Sequence, residues 1–276
     1  MKRRFVQVDV FGENPYRGNP LAVVVDAEGL TTSDMQTFAK WTNLSETTFL
    51  LPPTHASADY RVRIFTPTEE LPFAGHPTLG SAHAWLTNGG EPKDGNTIVQ
   101  ECKVGLINVR RDDNSLSFAA PPILKSGPVD DALIHEAAES LGIGRDAIID
   151  AAWIDNGPGW MGILLASANE VLAIQPKPMK LTLGVAGAHT TESPFAYEVR
   201  AFYSSNGITL EDPVTGSLNA SLAQWLISLG RFRAPYLASQ GTAIGYAGVV
   251  KVDVDHSHVV WIGGNVTTCI SGEVDL

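Results

Sequence analysis

Two segments of this chain, 77–87 and 217–229, read as helices that are apolar almost all the way round. Leu79, Ala82, Ala84, Trp85 and Leu86 spread over most of the first circumference. Leu218, Leu222, Trp225, Leu226 and Leu229 do the same on the second. A surface helix shows one apolar stripe, whereas a helix that is apolar on every side must be wrapped by other structure. The wrapping available here is strand. Segments 5–11, 21–25, 47–51, 59–66, 97–102, 105–110, 161–165, 197–203, 249–254 and 258–262 alternate apolar with polar residues and are rich in β-branched and aromatic types. Each half therefore reads as a sheet curled around one central helix. Two further helices are expected on the outside. Ser33 and Gln36 have capping-box spacing ahead of Phe38 and Trp41, and Asp130 stands ready to cap 132–141, which Gly142 stops.

The two wrapped helices sit in matching contexts. Glu70-Leu-Pro72-Phe-Ala-Gly75-His76 aligns without gaps to Glu211-Asp-Pro213-Val-Thr-Gly216-Ser217. Each block follows an aromatic strand, Arg63-Ile64-Phe65 or Arg200-Ala201-Phe202, and runs into an apolar helix. This predicts a tandem repeat of about 130 residues. The expected lobes are 1–122 and 123–276, divided near Pro121-Pro122, with the final strand free to pack on the first lobe. A chain of 276 residues is long enough to give each lobe its own core.

Composition narrows the functional classes. The net charge is −11, and Lys2-Arg3-Arg4 is the one basic cluster, so no nucleic-acid partner is expected. Those three residues lead into Phe5-Val6-Gln7-Val8-Asp9, an alternation with a charge in it rather than the apolar core of a signal peptide. No apolar run approaches the length of a membrane span. Cys102 and Cys269 lie far apart and read as free thiols, which suits a cytoplasmic setting. No dinucleotide or phosphate-loop glycine pattern occurs, so no cofactor is expected. His256 and His258 alternate with Asp253 and Asp255 on a strand, and a solvated face explains them better than a metal site.

The chemistry-bearing residues gather at the helix starts. A helix N-terminus presents unpaired N–H groups and about half a positive charge, so it attracts anions. Gly75 precedes His76, and Gly216 precedes Ser217. Both glycines serve either as tight turns or as openings through which a carboxylate reaches the backbone. Glu46, at the mouth of the apolar strand Thr47–Leu51, is either an exposed strand-end residue or a partly desolvated acid/base. His76 and Asp212 flank the two helix starts as proton-moving groups or as caps. Thr215-Gly216-Ser217-Leu218-Asn219 is not a nucleophile elbow, and no metal-ligand spacing stands out.

At these residues the sequence resembles the PhzF-like family, named for the phenazine-biosynthesis isomerase and similar in fold to diaminopimelate epimerase. The matching stretches include Gly18-Asn19-Pro20, Asn43-Leu-Ser-Glu46-Thr-Thr-Phe49, Gly75-His76-Pro-Thr-Leu-Gly80-Ser-Ala-His83 and Glu211-Asp212-Pro213-Val-Thr-Gly216-Ser217. The resemblance implies an α+β fold of two similar lobes, each a barrel-like, mostly antiparallel sheet wrapped around a central helix, with an active site between them and cofactor-free proton transfer. Glu46 would be the general acid/base, His76 and Asp212 would relay protons, and Gly75, Gly216 and Ser217 would hold a small carboxylate substrate. A homodimer is also implied. Two departures stand out. The two-thiol epimerases of this fold carry cysteines where Gly75 and Gly216 stand, so two-cysteine racemisation is not expected. The family's Arg after Ser239-Gln240-Gly241 is replaced here by the run to Tyr246. The leading expectation is an isomerase or epimerase, and the rival is a carboxylate-binding protein that has kept the fold without the chemistry.

Overall fold

The computed structural model describes residues 1–112, 115–205 and 207–276. The chain divides into two compact units, Met1–Ala119 with Gly263–Leu276, and Ala120–Ile262.

The first unit begins with the hairpin β1 (Lys2–Val10) and β2 (Asn19–Val24). Helix α1 (Thr32–Thr42) then leads to β3 (Thr47–Leu51), which lies parallel to β2. A parallel neighbour needs a crossover, and α1 is that crossover. Strand β4 (Tyr60–Phe65) turns into the two-residue β5 (Glu70–Leu71) and the central helix α2 (Gly75–Thr87). β6 (Thr97–Cys102), β7 (Gly105–Asp112) and β8 (Ser115–Ala119) complete this half. Helix α2 packs on β1, β2, β3, β4, β6, β7 and β8, so it is wrapped as its all-round apolarity requires. The fit is close: a Cβ at Gly80 would stand 2.5 Å from Leu21 Cδ2 and 3.0 Å from Val8 Cγ2.

The second unit repeats the plan. It contains β9 (Lys125–Pro128), α3 (Asp131–Leu141), β10 (Asp150–Asp155) and β11 (Met161–Leu165). Next come α4 (Ala168–Ala173), β12 (Leu183–Ala188), β13 (Tyr197–Ser205) and β14 (Ile208–Asp212). The central helix α5 (Gly216–Ser228) precedes β15 (Tyr236–Gln240) and β16 (Gly248–Val254). β11 lies parallel to β12 across α4, as β2 does to β3 across α1. β13 lies parallel to β15 across α5, as β4 does to β6 across α2. The hairpins match residue for residue: Phe65 faces Glu70, and Phe202 faces Glu211. Helix α5 packs on β10, β12 and β16.

The last strand, β17 (Val260–Asp275), starts in the second unit and continues into the first, where it pairs antiparallel with β1 and also with β8. With it, strands β1, β2, β3, β4, β6, β7, β8 and β17 form a closed eight-membered ring around α2.

Several local expectations change. The capping box of α1 is Thr31 with Asp34, not Ser33 with Gln36: Thr31 Oγ1 accepts the Asp34 N–H, and Asp34 accepts the Thr31 N–H. Asp130 occupies the N-cap of α3 without a side-chain cap bond, while Gly142 does end that helix in the left-handed conformation. The sequence pattern does not announce strands β5, β8, β9, β10, β12, β14 and β15 or helix α4, and β17 runs to Asp275 where a strand is expected only over 258–262. Leu183-Gly-Val-Ala-Gly-Ala188 has little strand propensity of its own, and its two flanking strands impose its conformation.

Candidate active site

Glu46 lies immediately before β3, and His76 is the second residue of α2. Their side chains meet: Glu46 Oε2 stands 3.4 Å from His76 Nε2, with side-chain exposures of 16% and 6%. The ring also hydrogen-bonds the backbone of Pro20, at the start of β2. Nε2 makes no hydrogen bond, so the bond to Pro20 runs through Nδ1. A carbonyl accepts, so Nδ1 carries the proton, and Nε2 presents its lone pair to Glu46. Burial pushes the ring down to about 3, against the weaker pull of the Pro20 carbonyl in the other direction. At neutral pH His76 is therefore an uncharged acceptor, and the contact with Glu46 is not an ion pair. Gly75 and His76 are buried, and α2 has no side-chain N-cap, in contrast to α1 and α4, which Thr31 and Ser167 cap.

In the second unit Asp212 ends β14, and Gly216 and Ser217 open α5, which also has no side-chain cap. Thr215 Oγ1 donates to Asp212 Oδ2 at 2.6 Å and accepts from Gln240 Nε2 at 2.9 Å. Gln240 Oε1 in turn accepts the Thr215 N–H and Asn219 Nδ2 at 3.0 and 2.8 Å. Ser217 Oγ accepts from Trp160 Nε1 at 3.1 Å, and the Ser217 carbonyl accepts from Asn156 Nδ2 at 2.8 Å. Ser217 has no general base among these partners, so nothing here activates it as a nucleophile.

The structure thus brings Glu46, Gly75 and His76 together in the first unit and Asp212, Gly216 and Ser217 together in the second. Pro20, Thr215, Asn219, Gln240 and Trp160 were not picked out from the sequence as site residues. For Gln240 the signal was faint: only the parallel pairing of β13 with β15 puts the Ser-Gln-Gly segment beside Thr215.

Each site hangs on the same support. In the first unit Arg63 holds Glu70 through two hydrogen bonds of 2.7 Å and lies 5.0 Å over the Phe65 ring. In the second, Arg200 holds Glu211 at 2.9 and 2.7 Å and lies 4.9 Å over Phe202. Each arginine also reaches the neighbouring crossover helix: Arg63 donates to Thr32 Oγ1, and Arg200 donates to the Val171 and Ile174 carbonyls at the end of α4. The repeated Arg-x-Phe…Glu unit clamps the hairpin that feeds each central helix. Its purpose is structural, and it explains why the glutamate of the shared motif recurs.

The model of the phenazine biosynthesis-like family, PhzC-PhzF, matches residues 8–272. A Schizosaccharomyces pombe protein named antisense-enhancing sequence 1 is 38% identical over 293 residues, covering 98% of this chain and 97% of its own length. The trans-2,3-dihydro-3-hydroxyanthranilate isomerase of Pseudomonas fluorescens is 34% identical over 252 residues, covering 87% of this chain and 86% of its own length. The crystal structure of a Bacillus anthracis phenazine biosynthesis protein of the PhzF family superposes with a TM-score of 0.84 over 100% of both chains, at 22% identity. The α+β architecture is that of PhzF-family proteins. The chain belongs to the phenazine biosynthesis-like family, which includes named isomerases.

Proposed function

We propose that this protein is a cofactor-independent isomerase that moves a carbon-bound proton on a small carboxylate substrate, with Glu46 as the general acid/base. The observation that carries the reading is the approach of the Glu46 carboxylate to an unprotonated His76 Nε2 at 3.4 Å. A carboxylate that abstracts a proton from carbon becomes a carboxylic acid, and Nε2 accepts its hydrogen bond. Because burial opposes an imidazolium, the proton stays on Glu46, ready to return to the same or another carbon. The uncapped start of α2 at Gly75 offers backbone N–H groups to a substrate carboxylate. The start of α5, with Gly216, Ser217 and Asp212, is a second set of polar groups able to hold a carboxylate.

The test is proton NMR in D₂O with a panel of small cyclic and acyclic amino and hydroxy carboxylates. The panel includes trans-2,3-dihydro-3-hydroxyanthranilate, the compound for which the relative is named. Deuterium is expected to enter one carbon position with the wild type. Glu46→Gln should lower turnover by roughly 10²–10⁴-fold, the usual worth of a positioned acid/base. Near-wild-type turnover in that variant removes Glu46 from the reaction. The second reading, a carboxylate-binding protein without turnover, draws on Tyr246 standing where the resemblance leads one to expect an arginine. Binding of several panel compounds with no exchange at carbon would favour it.

A further inference from the structure

Asp9 on β1 is 3% exposed, and no step of the proposed reaction uses it. Buried carboxylates are costly unless hydrogen-bonded. Asp9 Oδ2 accepts two backbone N–H groups, from Arg17 at 2.9 Å and from Gly18 at 3.0 Å. These residues end the loop between β1 and β2, so the carboxylate draws the loop back over its own strand. Two glycines make that possible. A Cβ at Gly12 would stand 2.5 Å from Asp9 Oδ2, and one at Gly18 would collide with the Val10 carbonyl oxygen.

The loop delivers the chain to Asn19-Pro20, with Pro20 opposite Asp9 in the β1–β2 ladder. Pro20 has no N–H to give to that ladder. The parallel ladder from β2 to β3 begins only at Ala22 and Thr47, two residues further on. The Pro20 carbonyl therefore falls just off the end of that ladder, where it accepts the His76 Nδ1–H hydrogen bond. Thr47, the first residue of the ladder, follows Glu46 directly. One short stretch of β2 thus fixes both members of the Glu46–His76 pair.

We propose that Asp9 is a positioning residue: by holding the Arg17 and Gly18 N–H groups it sets the Pro20 carbonyl, which keeps His76 in its Nδ1–H tautomer with Nε2 turned to Glu46 as an acceptor. If the loop shifts, Pro20 no longer claims Nδ1–H. The ring is then free to carry its proton on Nε2, where it would donate to Glu46 and hold the carboxylate ionised instead of accepting from its acid form. The effect on turnover rests on the proton-transfer reading of Glu46, whereas the tautomer itself does not.

The experiment is ¹⁵N NMR of protein labelled at histidine, with the His76 signals assigned by their loss in His76→Gln. The wild type is expected to show a protonated Nδ1 and an unprotonated Nε2 at neutral pH. Asp9→Leu, which removes the acceptor, should give a mixed or reversed pattern, with kcat lowered about tenfold and KM changed much less. Asp9→Asn keeps an acceptor oxygen and should restore both readouts. Asp9→Thr, a smaller strand-compatible residue, serves as a second disrupting variant if Leu prevents folding. A wild-type ring protonated on Nε2 would overturn the proposal. So would a folded Asp9→Leu or Asp9→Thr with the wild-type nitrogen pattern. A changed tautomer with unchanged turnover would support the positioning role while counting against the proton-transfer reading.

Discussion

At the scale of single residues, the burial of His76 gives it a signature in stability. Its ring titrates at about 3 in the folded chain, against an ordinary value of 6.5. Below about pH 6.5 the unfolded chain takes up a proton that the folded chain refuses, so stability falls as the pH drops from there toward 3. Above 6.5 the two states hold the same charge and the effect vanishes. Urea unfolding between pH 7 and pH 4 should show the wild type losing more stability on acidification than His76→Gln. Parallel curves would mean that the ring is not held neutral. Glu46 and His76 were both legible in the sequence, because a helix-start histidine and a strand-start glutamate sit in distinctive motifs. The Pro20 carbonyl and the Asp9 acceptor were not. A backbone oxygen has no residue type to betray it, and Asp9 reads from the sequence as a charge in an alternating strand and as part of a family-like stretch, with no role attached.

At the scale of elements, the repeated clamp makes an internal comparison possible. Arg200 and Glu211 are 4% and 9% exposed at the side chain, while Arg63 and Glu70 are 23% and 24% exposed. Arg200→Met strands a buried carboxylate and two helix-end carbonyls, so it should cost about 3–5 kcal/mol. Arg63→Met breaks a pair that water partly screens, and about 1 kcal/mol is expected. Chemical denaturation of both variants checks the ratio, and equal costs would show that burial does not set the strength of the clamp. The sequence alignment that revealed the two blocks already contained this motif, but not the difference in depth. Depth depends on what covers each hairpin, and α4, which covers Arg200, was too short to read as a helix. The two central helices were the most legible elements because all-round apolarity permits a single environment. The unread strands are those whose neighbours, rather than their own residues, decide their conformation.

At the scale of the whole molecule, a net charge of −11 opposes the approach of a carboxylate that the local helix ends would attract. Salt screens long-range repulsion, with a Debye length near 10 Å at 0.1 M, and reaches a bound pair much less. For an anionic substrate, kcat/KM should therefore rise with ionic strength, by less than about tenfold between 0.01 and 0.2 M salt. Initial rates at low substrate would show it, and a fall with salt would mean that a local positive field steers the encounter instead. The path of β17 bears on how this molecule is made. Residues 120–262 form their unit from one unbroken stretch of chain, whereas the ring around α2 takes its eighth strand from residues 263–276. A ribosome works from the N-terminus, so the half made first must wait, its ring open between β1 and β8, until residues 263–276 have emerged. The half made second has no such wait. The order of closure during synthesis is therefore the reverse of the order of translation, and Glu46 and His76 lie in the unit that is completed last.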